Sequence, residues 1–407
     1  MRQRILNIVA AAPGALLLSV VLVAGVAYAP ASNAAECNAS KGWFEKYTAA
    51  TEAQKKGDYA GALSHAKEML AASTQACEKQ TSFQLQRQYA YSAKNWSELV
   101  AVCEAMNASD IVSAKDKTAN LKQISDAQQQ LRHLDKALPP LREYVKQTGG
   151  TPADWNNLSE LELAAGNCPA ALSAIDKASG GKNLTEKQLL AQQQCYFKSK
   201  DERREAVIQQ LMERFPKKGY YADLVALYRI GKIDDRALLN VYRLGFQHDW
   251  LTTADDILLY AKLADTSGAT NEALRVLDKS VEKKYITLDD KSKNLEAQEK
   301  RAAAEDAANV AQLDKESQAG KNGDKDVKVG MMYFGLEQYP AAVAALNRGL
   351  AADHVARVAR PDDANMAVGI ALARQKKFAD AEKAFTAAKA DPRMAKAAGL
   401  WLALMKN

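Results

Sequence analysis

The residue types that most often carry enzymatic chemistry are sparse in this sequence and far apart. None of the histidines belongs to a metal-binding spacing such as H-E-x-x-H. Glycine pairs at 149–150 and 180–181 lack the preceding strand that a phosphate-binding loop requires. This scatter indicates surface or helix-end histidines and helix-connecting turns. The four histidines are His65, His133, His248 and His354.

Two pairs of adjacent carboxylates, Asp289-Asp290 and Asp362-Asp363, are the remaining candidates for acid–base work. Neighbouring residues in a helix or turn point in different directions, so such a pair does not share a proton. Capping of helix starts is their preferred explanation. The sequence therefore predicts a non-enzymatic protein with no catalytic residue, no cofactor site and no metal site.

The N-terminal segment differs from the rest of the chain. Arg2 and Arg4 are followed by an apolar run over 15–29 and by the small residues of "ASNAAE", the layout of a secretory signal peptide. Cleavage is expected after Ala34 or Ala35, which makes 1–35 a signal peptide and the mature protein periplasmic. The alternative is an uncleaved inner-membrane anchor over 5–29.

Charge and composition limit the partners. The net charge is +6 over 407 residues, and basic residues alternate with acidic ones throughout. A nucleic-acid-binding surface needs a basic stripe with aromatic side chains, which this sequence lacks. We expect no nucleic-acid partner and no small-molecule substrate. The apolar fraction of 47% with only 21 glycines and 10 prolines favours a helical globular protein.

The stretch "DWNNLSELELAAGNCPAALSAIDKA" at 154–178 shows how the helices are arranged. Trp155 and Leu158 lie on one predicted helix, a Gly-Asn break follows, and Ala171 and Ile175 recur on a second helix. Two antiparallel helices result. Where they cross, each helix needs a small residue, here Ser159 and Ala171, with large residues filling the flanks.

This pattern resembles the tetratricopeptide repeat. Further copies centre on the small contacts at 62, 273, 342 and 381, and weaker ones lie near 99, 137, 205 and 237. Up to position 273 the centres are 32 to 38 residues apart, close to the period of about 34 in this family. The residues assigned to repeat packing are Trp155, Leu158, Ala171, Ile175, Gly330, Ala342, Leu346, Gly369, Ala381 and Phe385.

The resemblance implies an all-α fold, a right-handed superhelical array of antiparallel helix pairs. We expect an N-terminal array of about seven units over 36–286 and a C-terminal pair of units over 327–407. The charged, alanine-rich segment at 287–326 separates them, either as a degenerate unit or as a helical insertion with a loop.

Five cysteines, all in the N-terminal half, are expected to pair in an oxidising compartment. In antiparallel stacking, the start of one unit's second helix lies beside the end of the next unit's first helix. Cys168 and Cys195 occupy these two places, while Cys37 and Cys77 flank the first pair at the same end. We predict the disulfides Cys37–Cys77 and Cys168–Cys195, with Cys103 buried; the alternative is five free buried thiols.

In the resembling family, the concave wall comes from the first helix of each unit. Carried over to the two C-terminal units, this predicts an apolar groove with one cation, suited to a peptide or helix of a partner. The alternative is that these residues pack against a neighbouring helix. The groove residues are Val327, Met331, Phe334, Met366, Ile370 and Arg374.

Three functions follow from the resemblance. The first is an interaction scaffold that binds an envelope protein, at an inner-membrane complex of the TonB/ExbB type or at outer-membrane assembly machinery. The second is a regulator of cell-wall (peptidoglycan) enzymes. The third and weakest is a superhelix like that of the lytic transglycosylases without their catalytic domain.

Overall fold

The computed structural model describes residues 39–287, 290–320, 322–351 and 353–406. Across these ranges the secondary structure is helical, with twenty α-helices and one short 3-10 helix at Val355–Arg357. The all-α prediction is therefore confirmed. The chain divides into two compact units, Met1–Lys182 (unit 1) and Asn183–Asn407 (unit 2), so the division falls inside the segment predicted as one N-terminal array.

In unit 1 the described residues form four helix pairs. Each pair packs on the next, in chain order. The helices are α1 Lys41–Lys55, α2 Tyr59–Ala72, α3 Ala76–Ser92, α4 Trp96–Ala108, α5 Ala114–Gln130, α6 Leu134–Thr148, α7 Pro152–Ala164 and α8 Cys168–Ser179.

The described residues of unit 2 form five helix pairs, one long helix between the third and fourth pairs, and one short helix after the last pair. The helices are α9 Glu186–Ser199, α10 Arg203–Arg214, α11 Lys218–Ile230, α12 Asp235–Gln247, α13 Ala254–Thr266, α14 Thr270–Glu282, α15 Asp290–Gly320, α16 Gly323–Gly335, α17 Tyr339–Gly349, α18 Pro361–Arg374, α19 Phe378–Lys389 and α20 Ala395–Leu404. The described residues of 287–326 thus form α15 and the first turn of α16.

A left-handed residue two positions after the first helix reverses the chain in most pairs. Glycine fills this place in three pairs, at Gly57, Gly166 and Gly268, with φ between 76° and 82°. Lys94 and Arg132 adopt the same conformation in the weaker copies, with φ of 54° and 61°. The turn is therefore common to strong and weak copies, although only glycine adopts it without steric cost.

The small contacts predicted inside each pair lie where the helices approach most closely. Ala62, Ala171 and Ala273 are each fully buried near the start of a second helix. A Cβ atom on Gly330 would come within 2.6 Å of the Leu346 side chain, and one on Gly369 within 2.6 Å of the Phe385 ring. Since no real Cβ tolerates such distances, these glycines set the spacing of their pairs.

Unit 2 closes on itself through its last helix. α20 packs against α10 and α12. Trp401 on α20 is fully buried, stacks on Phe385 at 5.5 Å between ring centroids, and donates its Nε1–H to the Asn240 carbonyl at 2.8 Å. One continuous apolar core consequently runs from Ile208 to Met405. Among the described helices, none is long and apolar enough to cross a membrane.

Candidate partner-binding cleft

A cleft of about 210 Å³ lies in unit 2, between helices of its N-terminal and C-terminal parts. Residues from α12, α13, α14, α16, α17 and α18, together with the turns that follow α12, α14 and α16, line it. They are Arg243, Phe246, Gln247, Asp249, Tyr260, Glu272, Arg275, Lys279, Lys283, Phe334, Glu337, Tyr339, Ile370 and Arg374.

The floor of the cleft is a buried ion pair. Arg243 donates from Nε and Nη2 to the Glu272 carboxylate at 2.9 and 2.7 Å, and both side chains are only 2% exposed. Tyr260 donates its hydroxyl to Glu272 at 2.8 Å, and Arg243 also donates to the side-chain oxygen of Asn240 at 2.9 Å. Such a two-pronged pair fixes the geometry of the floor.

The electrostatics keep this floor ionised. Burial acts to raise the pKa of Glu272, but the adjacent Arg243 charge and its hydrogen bonds hold that pKa below the ordinary value. Burial and the neighbouring carboxylate raise the pKa of Tyr260 well above its usual range. The phenol therefore stays a hydrogen-bond donor, and Glu272 is fully engaged by groups of the protein itself.

Aromatic side chains form the walls. The Arg243 guanidinium lies over the Phe334 ring at 4.8 Å, and Phe334 meets Tyr339 edge-on with centroids 5.9 Å apart. Phe246 makes a similar edge contact with Tyr260 at 5.6 Å. Aromatic walls around a neutralised ion pair suit an apolar or aromatic side chain of a ligand.

The rim carries more positive than negative charge. Lys283 pairs with Asp249, and Arg275 pairs with Glu337 at 3.3 Å while donating to the Gly335 carbonyl at 2.7 Å. Lys279 and Arg374, both exposed, have no ion-pair partner within the part of the chain that the structure describes. Two cations at the rim are thus available to a ligand.

One lining residue presents an unsatisfied polar atom. The side-chain oxygen of Gln247 is buried and has no hydrogen-bond partner among the described residues, and the same holds for Nε2 of the next residue, His248. The His248 ring stacks on Trp250, 4.4 Å between centroids. Because a buried polar atom without a partner is costly, a donor supplied by a bound ligand would stabilise this place.

The six predicted groove residues separate into two groups. Phe334, Ile370 and Arg374 line the cleft, with the first two only 3% and 2% exposed. Met331 and Met366 are buried in the core away from the lining, and Val327 is half-buried with its side chain beside Gly349.

Most of the residues that sequence reasoning missed come from the preceding helices, α12 to α14; Glu337 and Tyr339 come from the turn after α16 and the start of α17. Arg243 stands inside the apolar run "ALLNVYRLGF" at 237–246. A charged residue in the middle of a helix that is otherwise buried signals a buried partner, and Glu272 is that partner. Nothing in the local pattern of Gln247 or Tyr260 marks them as cleft residues.

Two of the histidines considered as catalytic candidates lie outside the cleft and make hydrogen bonds within the fold. His354 is buried with Nδ1 2.9 Å from Asp326, while His133 precedes α6 and bonds to Gln128 at 3.1 Å. Among the described residues, no group of three or more histidine, cysteine, aspartate or glutamate side chains could hold a metal ion.

The adjacent aspartates at 362 and 363 do not cap a helix end. They lie in the first turn of α18 and pair with arginines: Asp362 with Arg360 at 2.7 Å, and Asp363 with Arg236 at 3.2 Å. The capping interpretation is therefore wrong for this pair, which ties α18 to α12. Asp289 lies outside the described residues.

Three of the four cysteines in the described part of the chain form disulfides. Cys168 and Cys195 are bonded to each other, so this predicted pairing is confirmed. Cys77 is also disulfide-bonded; its predicted partner Cys37 lies outside the described residues, as does the predicted signal peptide. Cys103 is a free, fully buried thiol, and burial raises its pKa to about 12.

The chain consists of tandem helix pairs with a small internal contact, a shared left-handed turn and a period near 34 residues. These features define a helix-pair repeat fold of the tetratricopeptide type. The predicted fold class is confirmed at this level. No family model and no curated protein matches the sequence.

Similar solved structures include helix-pair repeat proteins. The structure of Naa15/Naa10 bound to HypK-THB aligns at 9% identity and a TM-score of 0.40, over 87% of this chain but only 60% of the other. The C-terminal part of a TPR repeat-containing protein from Cytophaga hutchinsonii aligns at 14% identity and 0.30, over 74% and 93%. A tetratricopeptide repeat protein from Parabacteroides merdae aligns at 11% and 0.22, over 90% and 100%.

Proposed function

We propose that the protein is a non-enzymatic interaction scaffold of the periplasm, which uses the unit 2 cleft to bind a segment of an envelope protein. A volume of about 210 Å³ is small for a metabolite pocket, since small-molecule sites usually span about 300–1,000 Å³. It suits a single large side chain. The observation that carries the proposal is an aromatic cleft with the unsatisfied Gln247 oxygen inside and two unpaired cations outside.

Each part of the cleft has a role in this binding. The aromatic walls accept an apolar anchor residue of the partner, because such anchors supply most of the binding energy of an interface. Gln247 accepts an N–H group beside the anchor. Lys279 and Arg374 attract acidic residues that flank it, which raises the association rate and selects among partners.

An oxidising location is supported by the disulfides, because such bonds persist in secreted and periplasmic proteins and are rare in the cytosol. Among envelope partners we favour a component of an inner-membrane complex of the TonB/ExbB type or of the outer-membrane assembly machinery. The N-terminal signal predicted for 1–35 fits this destination.

Affinity capture from a detergent-solubilised envelope fraction tests the cleft. Phe334 and Ile370 are core residues, so replacing them would test folding instead of binding. The exposed pair Arg374→Glu/Lys279→Glu changes only the rim. The matched control is Lys262→Glu/Lys377→Glu, which alters charge equally at exposed lysines of unit 2 outside the lining. We expect the rim variant to lose the captured proteins that the wild type and the control retain. An unchanged set of captured proteins would remove the cleft from the proposal.

Counting thiols on protein purified from the periplasm tests the location. The two predicted disulfides leave Cys103 as the single thiol that reacts after denaturation without reductant, and reduction should release the other four. In the native state Cys103 should be unreactive at neutral pH, because burial raises its pKa to about 12. Five reactive thiols before reduction would contradict an oxidising destination.

A further inference from the structure

A second groove, unrelated to the unit 2 cleft, lies in unit 1 where α6 ends and α7 begins. It has a volume of about 750 Å³ and is open to solvent. Its lining contains three cations and no carboxylate. The cations are Arg142, Lys146 and Lys177.

The turn at 149–150 holds the indole of Trp155 in place. Trp155 donates its Nε1–H to the Gly149 carbonyl at 2.9 Å. Gly150 has a φ of +64°, and a Cβ on it would lie 2.9 Å from the indole nitrogen. Only glycine permits both the conformation and the close approach. The ring is therefore a fixed, half-buried wall of the groove.

The charges around this wall are positive and accessible. Lys177 lies over the Trp155 ring, with Nζ 4.1 Å from its centroid, and is exposed. Lys146 is 79% exposed and only loosely paired with Glu143 at 3.7 Å. Arg142 is neutralised by Glu162 through two bonds of 2.6 Å. The net charge at the groove is therefore positive, because Lys146 and Lys177 remain available.

The floor is apolar. Val145 and Leu158 are 4% and 5% exposed and belong to the apolar cluster against which Trp155 packs. A volume of about 750 Å³ is within the range of known ligand-binding pockets. It exceeds what a single side chain needs, so the groove accommodates several residues of an extended chain.

We infer that the unit 1 groove binds an acidic peptide segment of a partner protein. An apolar side chain of the segment packs on Val145, Leu158 and the Trp155 ring, while flanking carboxylates pair with Lys146 and Lys177. Charge complementarity and the concave apolar floor favour this ligand over an anionic membrane, because a flat lipid surface would meet the lysines without reaching the floor.

Fluorescence anisotropy with the full mature protein and three synthetic nine-residue peptides tests the inference. The probe alternates glutamate with leucine and phenylalanine and carries fluorescein. One comparison peptide has lysine in place of glutamate, and the other has serine in place of the apolar residues. We expect both comparison peptides to bind at least about tenfold more weakly than the probe.

A matched pair of variants locates the binding. Lys146→Glu/Lys177→Glu reverses the groove charge at exposed positions, so folding should be unaffected. Lys55→Glu/Lys115→Glu makes the same change at exposed lysines of unit 1 outside the lining. The groove variant should weaken binding of the probe by about tenfold or more, and the control should leave it unchanged.

Four results would overturn the inference. One is equal affinity for the glutamate and lysine peptides, and another is undiminished binding by the groove variant. A third is loss of binding in the unit 2 rim variant Arg374→Glu/Lys279→Glu, which would place the peptide in the other cleft. The last is binding to phosphatidylglycerol vesicles without binding to the peptide, which would assign the lysines to a membrane surface.

Discussion

Unit 1 and unit 2 are built from the same helix pair but differ in the reach of their contacts. In unit 1 the polar links join neighbouring pairs, as in Trp43 to Ser82 and Lys122 to Asp154. In unit 2 Trp401 reaches Asn240, 161 residues away. A linear stack gains stability from nearest neighbours alone, whereas a closed one couples its first and last helices.

The difference has a consequence for binding. The open groove of unit 1 is lined by residues of three successive helices, α6, α7 and α8, so a local stretch of sequence builds it. The cleft of unit 2 takes residues from positions 243 to 374 and exists only because distant helices meet. Closure also buries the Arg243–Glu272 pair, whose side chains are each only 2% exposed.

Truncation of the closing residue should have the largest effect. Trp401→Ala removes a fully buried indole and its hydrogen bond to Asn240. We expect the free energy of unfolding of unit 2 to fall by about 4–6 kcal/mol. Hydrogen exchange should accelerate in α12, far away in sequence. The comparison is Met69→Ala in unit 1, whose effect should stay within α1 to α4. Exchange unchanged in α12 would show that closure does not couple the helices.

The second-largest effect is expected from removing one partner of a buried ion pair in unit 2, compared with the same change in a more exposed pair of unit 1. Arg243→Met leaves Glu272 buried without a counter-charge and should cost about 3–5 kcal/mol in urea unfolding. Lys67→Met in unit 1 should cost about 1 kcal/mol or less, because Lys67 and its partner Glu98 are 49% and 24% exposed. Adding Glu272→Gln to Arg243→Met should restore much of the loss. The penalty should also shrink at acid pH, where the unpaired carboxyl takes up a proton. Equal costs for Arg243→Met and Lys67→Met would contradict the distinction between buried and exposed ion pairs.

A pH effect is expected in unit 1. Burial acts to raise the pKa of Glu78, but backbone N–H donors from Ser40, Thr74 and Gln75 lower it to about 2. A lowered carboxyl pKa contributes stability above the unfolded value of about 4.3 and loses it as pH falls towards 2. Glu78→Gln should therefore cost about 1–3 kcal/mol at pH 7 and almost nothing at pH 2. Glu143→Gln, which makes the same substitution at a side chain 44% exposed in unit 1, serves as the control.

The smallest change is expected at the rim of the unit 2 cleft. Arg374→Glu and Lys279→Glu replace exposed side chains, so each should shift the free energy of unfolding by no more than about 0.5 kcal/mol. Thermal unfolding measures this directly. A larger loss would mean that these cations stabilise the closed unit, and their effect on partner capture would then report on folding.

Sequence spacing predicted the helix pairs well. Each predicted centre falls two or three residues after the start of a second helix, as Ala62 does in α2 and Ala381 in α19. The weak copy at Leu99 also forms a helix pair, although leucine is not small, and its turn at Lys94 has the same left-handed conformation as the glycine turns. Glu205 differs from the other predicted centres because its side chain is not buried. Its helix packs through Val207 and Ile208 instead.

The candidate site was predicted only in part. Phe334, Ile370 and Arg374 lie in the cleft, but Met331 and Met366 are in the core. The difference arises because the prediction assumed an open concave wall, while the closure of unit 2 covers the same helix faces. Arg243 and Glu272 belong to different helix pairs, and no local spacing relates them.

The sequence by itself determined the helix pairs, their turns and the Cys168–Cys195 bridge, since each depends on residues within about one repeat of each other. Only the tertiary structure decided that α20 returns to α10 and α12, that Asp363 meets Arg236, and which side chains face the cleft. Closure depends on small rotations summed over many repeats, and a periodic pattern does not encode that sum.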